Sequence, residues 1–447
     1  MFEYSDNSAL DYIMSFSHSG KPVKDLSRMK KLLAALGDPQ DKLKFIHIAG
    51  TNGKGSMAEM FSGILKYAGV TAGVFTSPYI REYNDRIRVG RKNIEDDELR
   101  EITEFVRGVV EKLPEKKDFS QFEITTAIAL EHFLNRGCAV VVFETGLGGL
   151  LDCTNVVTTT VLSVIGSVDL DHTAVLGDTV EEIAYQKAGI IKPGVPCAVN
   201  GMNSPEVIKV IKDYAGKMGS PVTVTEPDKV KIMSEFIYGT KFTYKGGEFR
   251  TGMGGRYQVS NAMTVIEGAR LIAGEFGITE EDIRTGIMRA VLPCRTEVIC
   301  KEPLTVLDGG HNPNAMKALA NFIECNADIP GEMGMCTAII GMCTDKDIAE
   351  SVRHLIPKTG GHGASGVQRF VTVDGFSERA ENKDKLALLI NSLGGNAAPA
   401  KGSIEEEISR MQHQNSDGMT LICGSLFLAA EVKQLIYRYT ADKMGDY

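Results

Sequence analysis

One stretch constrains this chain more than any other: Phe45-Ile46-His47-Ile48-Ala49-Gly50-Thr51-Asn52-Gly53-Lys54-Gly55-Ser56. Its short apolar run reads as a buried strand, and a glycine-rich turn follows. Met57, Met60, Phe61, Ile64, Leu65 and Ala68 then recur at helical spacing until Gly69 closes the helix. Strand, glycine loop and helix together form the context of a phosphate-binding loop. The glycines let backbone N–H groups approach an anion, and the helix N-terminus adds partial positive charge. Lys54 can reach outer phosphates and the Ser56 hydroxyl a magnesium ion. Gly55 separates Lys54 from Ser56, so the spacing departs from the standard G-x-x-x-x-G-K-[ST] pattern. An ordinary strand-to-helix turn with a solvated lysine is the alternative.

The rest of the chain repeats the strand–helix theme. Residues 6–37 look helical, with Leu26, Met29, Leu32, Leu33 and Leu36 on one face. Residues 70–76, 139–143, 161–165 and 196–199 read as strands, and 94–110, 122–135 and 179–188 as helices. The run Ala139-Val140-Val141-Val142-Phe143 is apolar on both faces, as strands in the middle of a helix-covered parallel sheet are. Residues 229–250 alternate differently and predict hairpins at a sheet edge. Two helices follow, over 258–273 and 279–290. Residues 293–303 read as a link, after which short strands at 304–307, 336–340, 370–373 and 419–423 alternate with helices again. Residues 360–366 read as a loop. The expected fold is α/β: a phosphate-loop, mostly parallel sheet domain with an edge hairpin region over 1–295, then a smaller Rossmann-like domain over 296–447.

The length of 447 residues suits two or three domains. A net charge of −9 argues against a general nucleic-acid binder. The nine cysteines are scattered without a C-x-x-C pair, which predicts reduced thiols in a cytosolic protein. No apolar run is long enough for a membrane span and the N-terminus has no signal character, so a cytoplasmic location is expected, with no nucleic-acid or membrane partner.

Ligands of open parallel sheets bind beyond the carboxyl ends of the strands. The polar residues just past the apolar runs are Ser77, Glu144 and the group Asp169-Leu170-Asp171-His172. A hydroxyl, a carboxylate and an imidazole beside bound phosphates could hold a hard cation. Taken singly, Ser77-Pro78 reads as a turn, Glu144 as a loop cap and His172 as a turn histidine. Lys187 reads as a solvated helix-end lysine. Asp308-Gly309-Gly310-His311-Asn312-Pro313 forms another strand-to-helix loop, either facing a cleft or simply an asparagine-capped turn.

The motifs Gly50 to Ser56, Glu144-Thr145-Gly146-Leu147-Gly148-Gly149, Asp152-Cys153-Thr154-Asn155, Asp171-His172, Lys187-Ala188-Gly189-Ile190 and Asp308 to Pro313 occur in this order. The ordered set closely resembles the folylpolyglutamate synthases and bifunctional dihydrofolate synthases of the Mur ligase superfamily. The resemblance runs from about Arg28 to the turn Cys423-Gly424-Ser425-Leu426. It implies ATP as co-substrate, with Asn52, Gly53, Lys54, Gly55 and Ser56 on the phosphates and Asn261, Arg295 and Asp308 as further nucleotide contacts. It implies Mg²⁺ held with the participation of Ser77, Glu144, His172 and Lys187, the lysine being carbamylated. His311 would lie near the incoming L-glutamate. Phe122, Glu123, Leu151, Asp152 and Cys153 would lie near the pterin-bearing substrate, tetrahydrofolate or dihydropteroate. Lys54, Lys187, His172 and His311 are the expected catalytic residues, and a monomer is the expected state.

This sequence departs from the family pattern at Tyr79, Asp85, Leu150 and Cys294, where histidine, glutamate, arginine or lysine, and glycine are usual. Residues 23–27 match the family's substrate loop only ambiguously. The implied reaction is ATP-dependent amide formation through an acyl phosphate. One rival reading is a peptidoglycan-type Mur ligase, disfavoured because only 49 residues precede Gly50. The other is a nucleotide switch without ligase activity.

Overall fold

The computed structural model describes residues 8–17, 25–326, 336–357, 366–414 and 418–444. Residues 360–365 of the anticipated loop and 23–24 of the anticipated substrate loop lie outside them. The chain divides into two compact units, residues 1–229 with 260–290, and 230–259 with 291–447.

The first unit is built on an eight-stranded sheet: β1 (Phe45–Ala49), β2 (Ala72–Phe75), β3 (Ile87–Val89), β4 (Lys92–Asn93), β5 (Val140–Glu144), β6 (Thr160–Ile165), β7 (Cys197–Val199) and β8 (Val222–Val224), in the spatial order β4-β3-β2-β5-β1-β6-β7-β8. All pairings from β2 to β8 are parallel, and β3 and β4 add antiparallel at one edge. The strands β1 and β5 lie side by side in the middle and are buried along their whole length, His47 and Glu144 included. Alternate residues Phe45, Phe75, Val141 and Phe143 enter one core with Ile124, Ile128 and Phe133 of the helix Gln121–Asn135. The helix Lys54–Tyr67 packs against β1, β2 and β5.

The second unit contains a six-stranded sheet: β12 (Glu297–Lys301), β13 (Leu304–Leu307), β14 (Cys336–Ile340), β15 (Arg369–Thr372), β16 (Ala397–Pro399) and β17 (Met419–Cys423), ordered β12-β13-β17-β14-β15-β16 and parallel except for β12. With it goes a separate antiparallel sheet of β9 (Val230–Phe236), β10 (Gly239–Tyr244) and β11 (Gly247–Arg250). The β10–β11 turn is made by Lys245 at φ 48° and Gly246 at φ 82°, a pair of left-handed residues suited to a tight hairpin.

The structure corrects three expectations. Residues 229–250 do not edge the large sheet: Phe242 and Phe249 stack at 5.7 Å within their own three-stranded sheet, and Ile237 belongs to the core of the second unit with Val306 and Phe322. Residues 293–303 are not a plain link, because β12 pairs there with β13. The helical stretch expected over 6–37 is two helices, Ser8–Met14 and Ser27–Ala35, among the described residues.

Candidate active site

The phosphate-type loop is fixed from two sides. Gly53, at φ 82°, precedes the first residue of the helix Lys54–Tyr67, and a Cβ on it would lie 2.4 Å from Asn261 Oδ1. At that φ a side chain would be strained and would have to displace the amide of Asn261, which closes over the loop. On the other side, Ser167 and Asp169 beyond β6 hold the loop. Thr51 N donates to Ser167 O at 2.6 Å, Ser167 Oγ to Asn52 O at 3.2 Å, and Asp169 N to Thr51 Oγ1 at 3.0 Å. Lys54 Nζ folds back to donate to Gly50 O at 3.1 Å and Thr51 O at 3.4 Å. Ser56 is buried in the first helical turn.

Ser77 and Glu144 meet at the carboxyl ends of neighbouring strands. Phe75 pairs with Phe143, which brings the residues that follow together, and Ser77 N donates to Glu144 Oε2 at 3.2 Å. Glu144 is 3% exposed.

Lys187 is not a solvated helix-end lysine. It lies in the last turn of the helix Val180–Ala188 and is 3% exposed. Burial pulls its pKa down to about 7; Lys54 adds to the shift, while Asp171 and Asp152 oppose it. Two lysines and two carboxylates thus share one electrostatic neighbourhood. His172, at φ 51°, stands half-exposed with Nε2 3.9 Å from Asp171 Oδ1. Among the described residues no cluster of three or more His, Cys, Asp or Glu side chains forms a metal site by itself.

The expected pterin-side residues line the loop after β5 and the start of the helix Gln121–Asn135. The Phe122 ring packs 5.6 Å from Phe75, and a Cβ on Gly146 would strike it at 2.5 Å. Leu151 is 39% exposed, and Leu147 in the same loop is exposed to a similar degree. The Glu123 carboxylate is committed within the protein: Arg28 pairs with both its oxygens, at 2.9 and 2.6 Å, and Ser120 N donates to it at 2.8 Å. Asp152 is held by Leu147 N at 2.8 Å, Thr154 N at 3.0 Å and Thr154 Oγ1 at 2.5 Å, and burial raises its pKa despite these bonds. Cys153 Sγ lies 3.4 Å from Thr126 Oγ1, and burial pushes the thiol up.

In the second unit Asp308 follows β13 and accepts from Thr296 N at 2.8 Å and Gly310 N at 2.7 Å. Burial raises its pKa and the Arg295 guanidinium partly offsets that. The His311 ring nitrogen Nδ1 donates to Gly309 O at 3.0 Å, and Asn312 Oδ1 accepts from Ala315 N, so the asparagine cap is present as well. Asp169, which clamps the phosphate-type loop with Ser167, is among the polar residues expected past the strands; the sequence does not single out Ser167, His47 or Arg86. A histidine inside an apolar strand was the one signal that could have found any of them.

A clamped phosphate-type loop on a parallel sheet, followed by a second α/β unit with its own strand-to-helix loop, defines a nucleotide-dependent ligase of the Mur type. The chain matches the Mur ligase middle domain over residues 48–269 and the Mur ligase, glutamate ligase domain over residues 294–426. It is 34% identical to the folylpolyglutamate synthase of Lacticaseibacillus casei over 95% of this chain and 97% of the relative. It is 39% identical to the dihydrofolate synthase/folylpolyglutamate synthase of Bacillus subtilis over 67% of this chain and 72% of the relative. The E. coli FolC structure in complex with DHPP and ADP superposes with a TM-score of 0.80 at 28% identity, over 97% of this chain and 98% of that one. The chain belongs to the folylpolyglutamate synthase/dihydrofolate synthase family.

Proposed function

We propose that this protein is an ATP-dependent ligase that joins L-glutamate to the carboxylate of a folate or dihydropteroate, serving folate biosynthesis as both dihydrofolate and folylpolyglutamate synthase. The observation that carries the reading is Lys187, a buried lysine that feels the charges of Lys54, Asp171 and Asp152. A nucleotide switch has no use for a second lysine, buried, there. The domain proposal is that ATP and the acyl acceptor occupy the first domain, over 1–295, and glutamate the second, over 296–447.

In the reaction a substrate carboxylate oxygen attacks the γ-phosphorus of ATP, the bond to ADP breaks, and an acyl phosphate forms. The glutamate amine then adds to the acyl carbon and phosphate leaves, the amine proton passing to solvent or a nearby base. The loop Asn52 to Ser56, with Asn261, would hold the phosphates, Lys54 unfolding from its loop carbonyls to meet the γ-phosphate. Such a site works by positioning and charge neutralisation. Arg295 and Asp308 would contribute nucleotide contacts and His311 a glutamate contact from the second domain. Phe122, Leu151, Asp152 and Cys153 would face the pterin, with Glu123 acting through Arg28.

The residues fit Mg²⁺. Glu144 is a buried carboxylate at the strand ends, with the Ser77 backbone already against it, and magnesium commonly takes one or two carboxylates plus phosphate oxygens. When bound, the ion neutralises charge on the transferring phosphoryl group. His172 would take part through Asp171. Lys187 fits a metal only as its carbamate, formed when the neutral amine adds CO₂ and releases a proton. A pKa near 7 keeps a large neutral fraction at physiological pH. Electron density at Lys187 in a liganded crystal checks that modification. Nine free thiols support a reducing, cytoplasmic setting, and a monomer is proposed.

The test is ATP turnover with glutamate plus either dihydropteroate or tetrahydrofolate, beside a Lys54→Ala control. Turnover should require glutamate and an acyl substrate and fall at least about 100-fold in the control. Phosphate release that ignores glutamate would instead favour the switch.

A further inference from the structure

Arg86 is a buried guanidinium without a hydrogen-bond or ion-pair partner among the described residues. It is 6% exposed, its Nε is buried with no hydrogen bond, and none of its side-chain nitrogens forms a hydrogen bond or ion pair with a described residue. Its faces are covered instead, by the Tyr79 ring at 5.2 Å and the Tyr83 ring at 5.8 Å. Stacking of this kind occupies the faces of the guanidinium and leaves its in-plane N–H donors unspent. A buried charge left that way is costly, by several kcal/mol in general. Such a residue is kept where an anion arrives to complete it.

Its location says which anion. Arg86 immediately precedes β3, and its carbonyl accepts from Thr76 N at 3.1 Å, next to Ser77. The Glu144 carboxylate, at the same strand ends, acts on it electrostatically. Tyr83 belongs to the same hydrophobic core as Phe75, and Tyr79, Phe122 and Cys153 pack against that core. Arg86 thus feels the charge of Glu144 on the phosphoryl side, and the residue after it, Ile87, pairs with Phe75, whose ring lies 5.6 Å from that of Phe122. The phosphate-type loop with Lys54 lies on β1, two strands from β2. We propose that Arg86 binds the reacting carboxylate of the acyl substrate through its planar fork and holds it for attack. The inference rests on the first unit being the acyl-acceptor site of the ligase.

The experiment compares the full-length protein with its Arg86→Gln and Arg86→Lys variants. Steady-state kinetics are read with dihydropteroate or tetrahydrofolate varied, and ADP binding is read by calorimetry. Arg86→Gln should lower kcat/KM for the acyl substrate by at least about tenfold, the usual scale of a lost charge-assisted bond, while ADP affinity stays within about threefold. Arg86→Lys should recover only part, since it keeps the charge without the fork. Ligand-free Arg86→Gln should melt at the same temperature as wild type or higher, because it removes an unpaired buried charge. Unchanged kcat/KM overturns the proposal. So does a loss confined to nucleotide affinity, which would move Arg86 to the phosphates, and so does a melting temperature lower by more than about 5 °C, which would mark a structural role. Wild-type protein inactive with every acyl substrate would sink the ligase reading, independently of Arg86.

Discussion

His47 stands in the middle of β1 with none of its surface exposed. Thr154 spends its one hydroxyl proton on Asp152 Oδ1, so the 2.9 Å contact to His47 Nε2 must be donated by the imidazole. That fixes the tautomer and leaves Nδ1 a buried acceptor without a partner among the described residues. Burial first, and Lys192 second, lower the pKa of His47 from 6.5 to about 3. The sign follows: as pH falls from 6.5 towards 3 the unfolded chain takes up a proton that the folded state refuses. Stability is full above 6.5 and is lost through this window. Each pH unit is worth about 1.4 kcal/mol, so between about pH 7 and pH 5 the loss is about 2 kcal/mol. The His47→Gln variant keeps a donor for Thr154 but has no such titration. Its stability relative to wild type should improve by that amount on acidification, as read by urea unfolding at the two pH values. A constant difference would mean that His47 is not buried neutral. At this scale the sequence was least legible. Lys187 and Arg86 look like ordinary surface residues in a string of letters, and only burial by segments far along the chain gives them meaning.

At the scale of elements, the most informative contact is between two helices. A Cβ on Gly63 would lie 2.7 Å from Gly286 O, and one on Gly286 would lie 2.4 Å from Ile64 N. The helix Lys54–Tyr67 thus touches the helix Glu280–Arg289 backbone to backbone. Neither side has a flexible side chain that could give way, so Gly286→Ala forces the helices apart at a cost of about 1–3 kcal/mol. Because Lys54 opens the first of these helices, nucleotide affinity should fall with stability. Gly108, in the helix Asp96–Val110, has nothing within 4 Å of the same atom. Its change to Ala should instead stabilise by about 0.4–1 kcal/mol and leave nucleotide binding alone. Thermal melts with and without ADP check both, and equal effects from the two glycines would refute the packing argument. Central strands were legible because burial on both faces leaves an unbroken apolar run, as in Val140 to Phe143. The antiparallel edge strands β3, β4 and β12 were not, being only partly buried, and β3 and β4 short as well. The hairpins of β9 to β11 were readable as hairpins from their turn, but which core Ile237 would join is a tertiary fact.

For the molecule as a whole, the order of motifs was legible over nearly the entire length, while the compact units were not. The first unit ends at Ala290 and takes back 260–290 only after the chain has left it for 230–259. No local composition shift announces such a return, since the unit boundary falls inside the continuous helix Arg256–Leu271. Two units with separate cores predict separable energetics. The loop of Lys54 belongs to one unit, and the loop of Asp308 and His311 to the other. Mutations in groups that share no partners tend to add. If His311 contacts glutamate, His311→Ala should raise the KM for glutamate by about tenfold or more, the scale of a lost polar contact to a charged ligand, with ADP affinity unchanged. Lys54→Ala should do the reverse, weakening nucleotide binding whether or not His311 is present. Calorimetric ADP titrations of the two single variants and the double variant decide the matter. A nucleotide affinity that falls with His311→Ala as far as glutamate KM rises would show that the two loops act on one ligand, and would overturn the assignment of glutamate to the second domain.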